Sequence, residues 1–183
     1  MLRHPLRAIA LVLVVLATAA CGAGAPSSSP SAAPVTYEES NAALCAAFGS
    51  MLRAVGNPDT GTPSVLSKQL DDAVAAGNIA AAALAAAGMK TELETGRQQA
   101  AVAARWPPAA ASMAAMDRLL LAFTAMIAAK QAVAAHTPGA DPQAAFEKAD
   151  GVDAWTAMLT GISTMPVPSG VTPVPCKAFS GTP

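Results

Sequence analysis

About a quarter of this chain is alanine, and residues 79–87 are alanine except for Ile79 and Leu84. Alanine has the highest helix propensity and loses almost no side-chain entropy on folding. Aromatic residues, which sheets favour, make up only 4% of the sequence. The composition predicts an all-α fold: a single antiparallel bundle of four to five helices.

Local signals divide that bundle. Thr36 and Glu39 have the spacing of a capping box, with Thr36 as N-cap and Glu39 reaching back. A helix is expected from there to about Val55, with Leu44, Cys45, Phe48, Met51 and Leu52 on one face. Gly56, Asn57, Pro58 and Asp59 then turn the chain. A second helical region starts near Pro63 and Ser64, with a kink expected at Gly77 and Asn78. Gly88 and Gly96 weaken the helix expected around residues 89–97.

Trp106-Pro107-Pro108 breaks the chain again, because each proline drives the residue before it out of the helical region. The helix that follows, to about His136, is the most apolar after the N-terminal region. Met113, Met116, Leu120, Phe123 and Ile127 recur at helical spacing and make it the expected central helix. Asp117, Arg118 and Lys130 interrupt it, which argues against a membrane span. Asp141-Pro142 starts another helix, and Asp150 is expected to cap the last one. Beyond Pro166, three further prolines forbid helix before Cys176, so a Pro-rich C-terminal strap is expected over the bundle.

The N-terminus has a different character. Arg3 and Arg7 precede an apolar core over residues 8–16, and small residues lead to Cys21. This run is shorter than the ~20 residues of a membrane span and has the layout of a removed export signal. Thr18-Ala19-Ala20-Cys21 resembles the lipobox of a bacterial lipoprotein precursor, with Thr18 where that family most often has leucine. The resemblance implies cleavage before Cys21, a diacylglyceryl group on its thiol, and an acylated (palmitate-type) N-terminus at the extracytoplasmic face of the cell membrane. Residues 1–20 are then the signal peptide. Residues 21–35 are the lipidated cysteine and a Gly/Ser/Pro tether reaching up to ~40 Å. Residues 36–183 are the helical domain with its tail. The Ala- and Pro-rich layout is also similar to that of small actinobacterial envelope lipoproteins.

Three cysteines are present. If lipid takes Cys21, Cys45 and Cys176 form an even pair in a compartment that permits disulfides. Neither lies in a CxxC motif, so the expected role is structural.

Several chemistries have little support. The net charge is −1 with no Lys or Arg cluster, which removes the electrostatic basis for nucleic acid binding. His136 is the one histidine after the N-terminal segment and falls where a helix should end. It lacks the partners of a metal site, and no nucleophile elbow or phosphate loop appears. The acidic pairs Glu38-Glu39, Asp71-Asp72, Glu92 with Glu94, and Asp150 with Asp153 are expected to be solvated helix faces or helix starts. No cofactor and no metal is expected.

The sequence therefore points to a non-enzymatic, lipid-anchored interaction or scaffolding module. It would be held to the membrane by acyl chains and have an envelope protein as partner. The alternative is a carrier or sensor of a small apolar ligand, held in a cavity lined by Met113, Met116, Phe123 and Met126 between helices.

Overall fold

The computed structural model describes residues 33–57, 60–172 and 176, which belong to one compact unit, Ala32–Pro183. Cys21, the expected signal segment and most of the expected tether lie outside the described residues. The described chain is an all-α bundle of six helices: α1 (Tyr37–Val55), α2 (Val65–Ala75), α3 (Ile79–Ala103), α4 (Ala110–Ala134), α5 (Pro142–Lys148) and α6 (Gly151–Ser163). Two short strands, β1 (Gly56–Asn57) and β2 (Thr62–Pro63), pair antiparallel between α1 and α2.

Helix α1 begins as its capping box dictates. The Thr36 hydroxyl accepts from the Glu39 amide at 3.2 Å, and the Glu39 carboxylate accepts from the Thr36 amide at 2.8 Å. Leu44, Phe48 and Met51 are buried along one face. Ser64 caps α2 by accepting from the Ser67 amide, and its own hydroxyl donates to the Ala54 carbonyl at 2.7 Å. One side chain thus starts α2 and ties it to the end of α1.

The expected second helical region is two helices. The turn at Gly77 has a left-handed conformation (φ 61°), with the Gly77 amide on the Val74 carbonyl and the Asn78 amide on the Ala73 carbonyl. That double bond pattern ends a helix, and α3 restarts with Asn78 accepting from the Ala81 amide. Helix α3 then runs without a break through Gly88 and Gly96, against the expectation of weak helix there. Packing explains it. A side chain at Gly96 would sit 3.3 Å from the Ala47 carbonyl and 3.5 Å from a Leu120 methyl; one at Gly88 would sit 3.0 Å from Leu66. The two glycines let α1, α2 and α4 lie close against α3, and that contact outweighs a propensity cost of ~1 kcal/mol.

The elbow at Trp106 is extended, and Pro107–Ala109 form a 3-10 turn leading into α4. Trp106 packs edge-on against Tyr37, with ring centroids 5.2 Å apart. Ser40 donates to the Ala103 carbonyl at 2.8 Å, so a buried hydroxyl satisfies the last turn of α3. These contacts set the start of α1 beside the end of α3, which makes the two antiparallel.

Helix α4 is central, as expected, but α3 shares that place. Helix α3 packs on α1, α2 and α4, while α4 packs on α3, α5 and α6. Met113, Met116, Leu119, Leu120 and Ile127 of α4 are all fully buried. The stretch Pro107–Ala134 is long and apolar enough to cross a membrane by length and composition, and half of its most apolar window is buried inside the bundle.

Asp141 caps α5 by accepting from the Ala144 amide at 3.0 Å. Asp150 departs from its expected role. It stands at the N-cap of α6 in a left-handed conformation (φ 65°) and makes no side-chain cap; its carboxylate instead pairs with Arg118 of α4. In α6, Gly161 lies against Ser112, which sets the end of α6 beside the start of α4. The described residues after Ser163 are non-helical, and residues 166–170 are exposed.

Candidate functional site

Cys45 on α1 and Cys176 on the tail are disulfide-bonded, with Cα atoms 5.2 Å apart and a sequence separation of 131. Cys176 is buried and Cys45 half-buried. The helices pack in the order α1, α3, α4, α6. The bridge links the chain beyond α6 back to α1, so it connects the two ends of that series.

The four residues expected to line one apolar cavity are not brought together in one groove. Met116 is fully buried among the core side chains. Met113 lines an open groove of about 420 Å³ between α3 and α4. Phe123 and Met126 line another, about 220 Å³, beneath the β1–β2 turn. Phe123 also packs on Phe146, with centroids 5.1 Å apart. The physical reason is helical rotation: Met113 and Met126 lie more than three turns apart on α4, and different neighbours meet them.

Glu38, Glu39 and Asp153 stand in the first turns of α1 and α6, as expected, while other members of the acidic pairs are ion-paired. Glu92 pairs with Arg53 across α3 and α1 at 3.0 Å, and Asp71 pairs with Lys130 across α2 and α4. In the α3–α4 groove, Arg97 donates to Asp117 at 2.7 Å and to Glu94 at 3.2 Å. The hydrogen bond to Asp117, aided by Glu94, raises the Arg97 pKa above its ordinary value, so the guanidinium stays charged. Glu94 and Arg97 had a readable i,i+3 spacing, but no local signal pairs Arg97 with a residue twenty positions away. Half-exposed pairs of this kind contribute little. Asp117→Asn should cost about 0.5–1 kcal/mol in low salt and less in high salt, read by urea melts; a loss that ignores salt would mean the pair acts through packing.

His136 follows α4 in a left-handed conformation (φ 54°), exposed, with its ring beside Gly77. Its amide donates to the Val133 carbonyl and that of Thr137 to the Ala132 carbonyl, the same closing pattern as at Gly77. Among the described residues, no three His, Cys, Asp or Glu side chains gather as a metal site would need.

One further groove is present. It lies between α2 and α3, about 730 Å³, with small and apolar side chains such as Leu66, Ala73, Ala81 and Leu84 and polar ones at Gln69, Asp72, Asn78 and Thr91 in its walls. Its signal in the sequence was the alanine run itself, which reads equally well as internal packing. No family model, curated protein or solved structure matches the chain at a significant level.

Proposed function

We propose that this chain is a lipid-anchored envelope lipoprotein that works as a non-enzymatic interaction module. In this reading, acyl chains on Cys21 hold a disulfide-closed helical domain at the extracytoplasmic face of the cell membrane. The observation that carries it is the pairing of Cys45 with Cys176. A structural disulfide belongs to an oxidising compartment, so it supports export. It also accounts for two of the three cysteines and leaves Cys21, at the end of the apolar run, for another use. A partly apolar groove on the surface favours binding.

The test is anchoring. The native protein should partition into detergent and carry extra mass on Cys21 that survives denaturation. Cys21→Ala should appear in the aqueous phase without that mass. Membrane retention unchanged by Cys21→Ala would refute the anchor, because two acyl chains supply most of the membrane affinity.

A further inference from the structure

We propose that the end of the bundle at the Trp106 elbow rests in the headgroup layer of the membrane, with the turns at Gly77 and His136 at the far end. This inference rests on the anchor reading and adds to it the face that meets the lipid.

Four helix ends meet at this elbow. Ser40, near the start of α1, bonds the Ala103 carbonyl at the end of α3, and Tyr37 packs on Trp106. The end of α6, at Gly161, lies against Ser112 in the first turn of α4. The chain that leads back to Cys21 leaves from the same place. Arg105 donates from Nε to the Ala33 carbonyl at 3.0 Å, and from Nη2 to the same oxygen. Only residues 22–32 separate Cys21 from this fixed point. An anchor on Cys21 therefore holds the domain by this end.

The surface there suits lipid headgroups. From Gln98 to Met116 the single charged side chain is Arg105, and from Ala154 to Cys176 there is none. The ion pair Arg97–Asp117 lies about two turns further in. Val102, Pro107 and Pro108 are exposed. Trp106 is half-buried, an aromatic of the type that collects at membrane interfaces. Arg105 is exposed beside it, and a guanidinium favours lipid phosphate. Glu38 and Glu39 are the carboxylates at this end. Glu39 accepts from the Thr36 amide, whereas Glu38 is exposed in the first turn of α1. A free carboxylate is costly in hydrocarbon, so Glu38 limits the contact to the headgroup layer.

The backbone of the elbow fits the same surroundings. A surface turn can leave its amides to water, but a turn in a water-poor layer cannot. Here every amide from Ala104 to Ala110 is bonded within the chain or absent. Ala104, Arg105, Trp106 and Ala109 donate to carbonyls three or four residues back, and Ala110 donates to Pro107. Pro107 and Pro108 have no amide to satisfy. An exposed elbow with no free backbone donor leaves bulk water at little cost.

The experiment uses the full acylated chain in vesicles of phosphatidylcholine and phosphatidylglycerol with brominated acyl chains. The chain has two tryptophans, Trp106 and Trp155. In Trp155→Phe, Trp106 emission should fall about twofold relative to unbrominated vesicles. In Trp106→Phe, the emission of Trp155, about 12 Å back from the end of α6, should change little. A second reporter spares both aromatics. With Cys21 acylated and Cys45 bonded to Cys176, a polarity-sensitive dye on Ala110→Cys should brighten on vesicles. The same dye on Thr137→Cys, exposed at the far end, should not. Flotation with the vesicles reads the anchor separately. Protein that floats while Trp106 and the Ala110→Cys dye still report water overturns the proposal and leaves the anchor standing. That is also the result if an envelope protein covers this end, since these vesicles hold none. Equal quenching of both tryptophans overturns it too, because the domain then lies on its side. Protein that does not float overturns both readings.

Discussion

Replacing Cys45 and Cys176 together by alanine lowers the stability of the domain by about 3–5 kcal/mol. The two residues are 131 apart in sequence, and a cross-link across so long a loop removes roughly 5 kcal/mol of chain entropy from the unfolded state. Domains of this size are stable by only about 5–15 kcal/mol, so the loss is about a fifth of the total or more. Among the described residues this part of the chain is otherwise lightly held: residues 166–170 are exposed, and the core cluster includes none beyond Met165.

Guanidinium melts of the native, reduced and doubly substituted proteins measure this. The reduced and substituted forms should agree, because both release the same loop. Hydrogen exchange should show the tail losing protection first, with the amides of α3 and α4 losing it in proportion to the global change. A loss under 1 kcal/mol would mean that the unfolded chain is already compact around these residues, or that the tail carries no load.

The parts of this fold that were legible in the sequence are those set by residues close together in it. Thr36 and Glu39 cap α1 as their spacing implies, Trp106-Pro107-Pro108 breaks the chain, and Asp141-Pro142 starts α5. The pairing of Cys45 with Cys176 was readable by parity on the expectation that lipid takes Cys21, which leaves a single pair. What failed depended on distant neighbours. Gly88 and Gly96 read as weak points of a helix; Leu66 and Ala47, far away in sequence, make them close-packing points. Asp150 read as a cap, but Arg118 claims its carboxylate. The four proposed ligand residues share the apolar character of α4, yet helical rotation gives Met113, Met116 and the Phe123–Met126 pair different surroundings. The alanine run of residues 79–87 did not separate a buried seam from an exposed one, since alanine suits both.

Gly56→Ala should cost about 3 kcal/mol or more, and Gly61→Ala only about 1. Both glycines lie in the β1–β2 turn region and have positive φ, 98° and 66°. Gly61 would place its new methyl in open space, so it bears only the strain of a left-handed residue. Gly56 is in a different position. Its φ of 98° with ψ of −171° is a region nearly confined to glycine. A methyl there would also lie 2.2 Å from the Thr62 carbonyl and 2.6 Å from the Ser64 nitrogen, both backbone atoms that cannot swing aside. To relieve the clash, the β1–β2 pair must open, which disturbs the Ser64 cap and its bond to the Ala54 carbonyl. The register between α1 and α2 therefore depends on this one residue. Urea melts of the two variants test the difference directly. Equal losses would mean that the chain relaxes freely at Gly56, and the turn would then contribute nothing to how α2 is placed against α3.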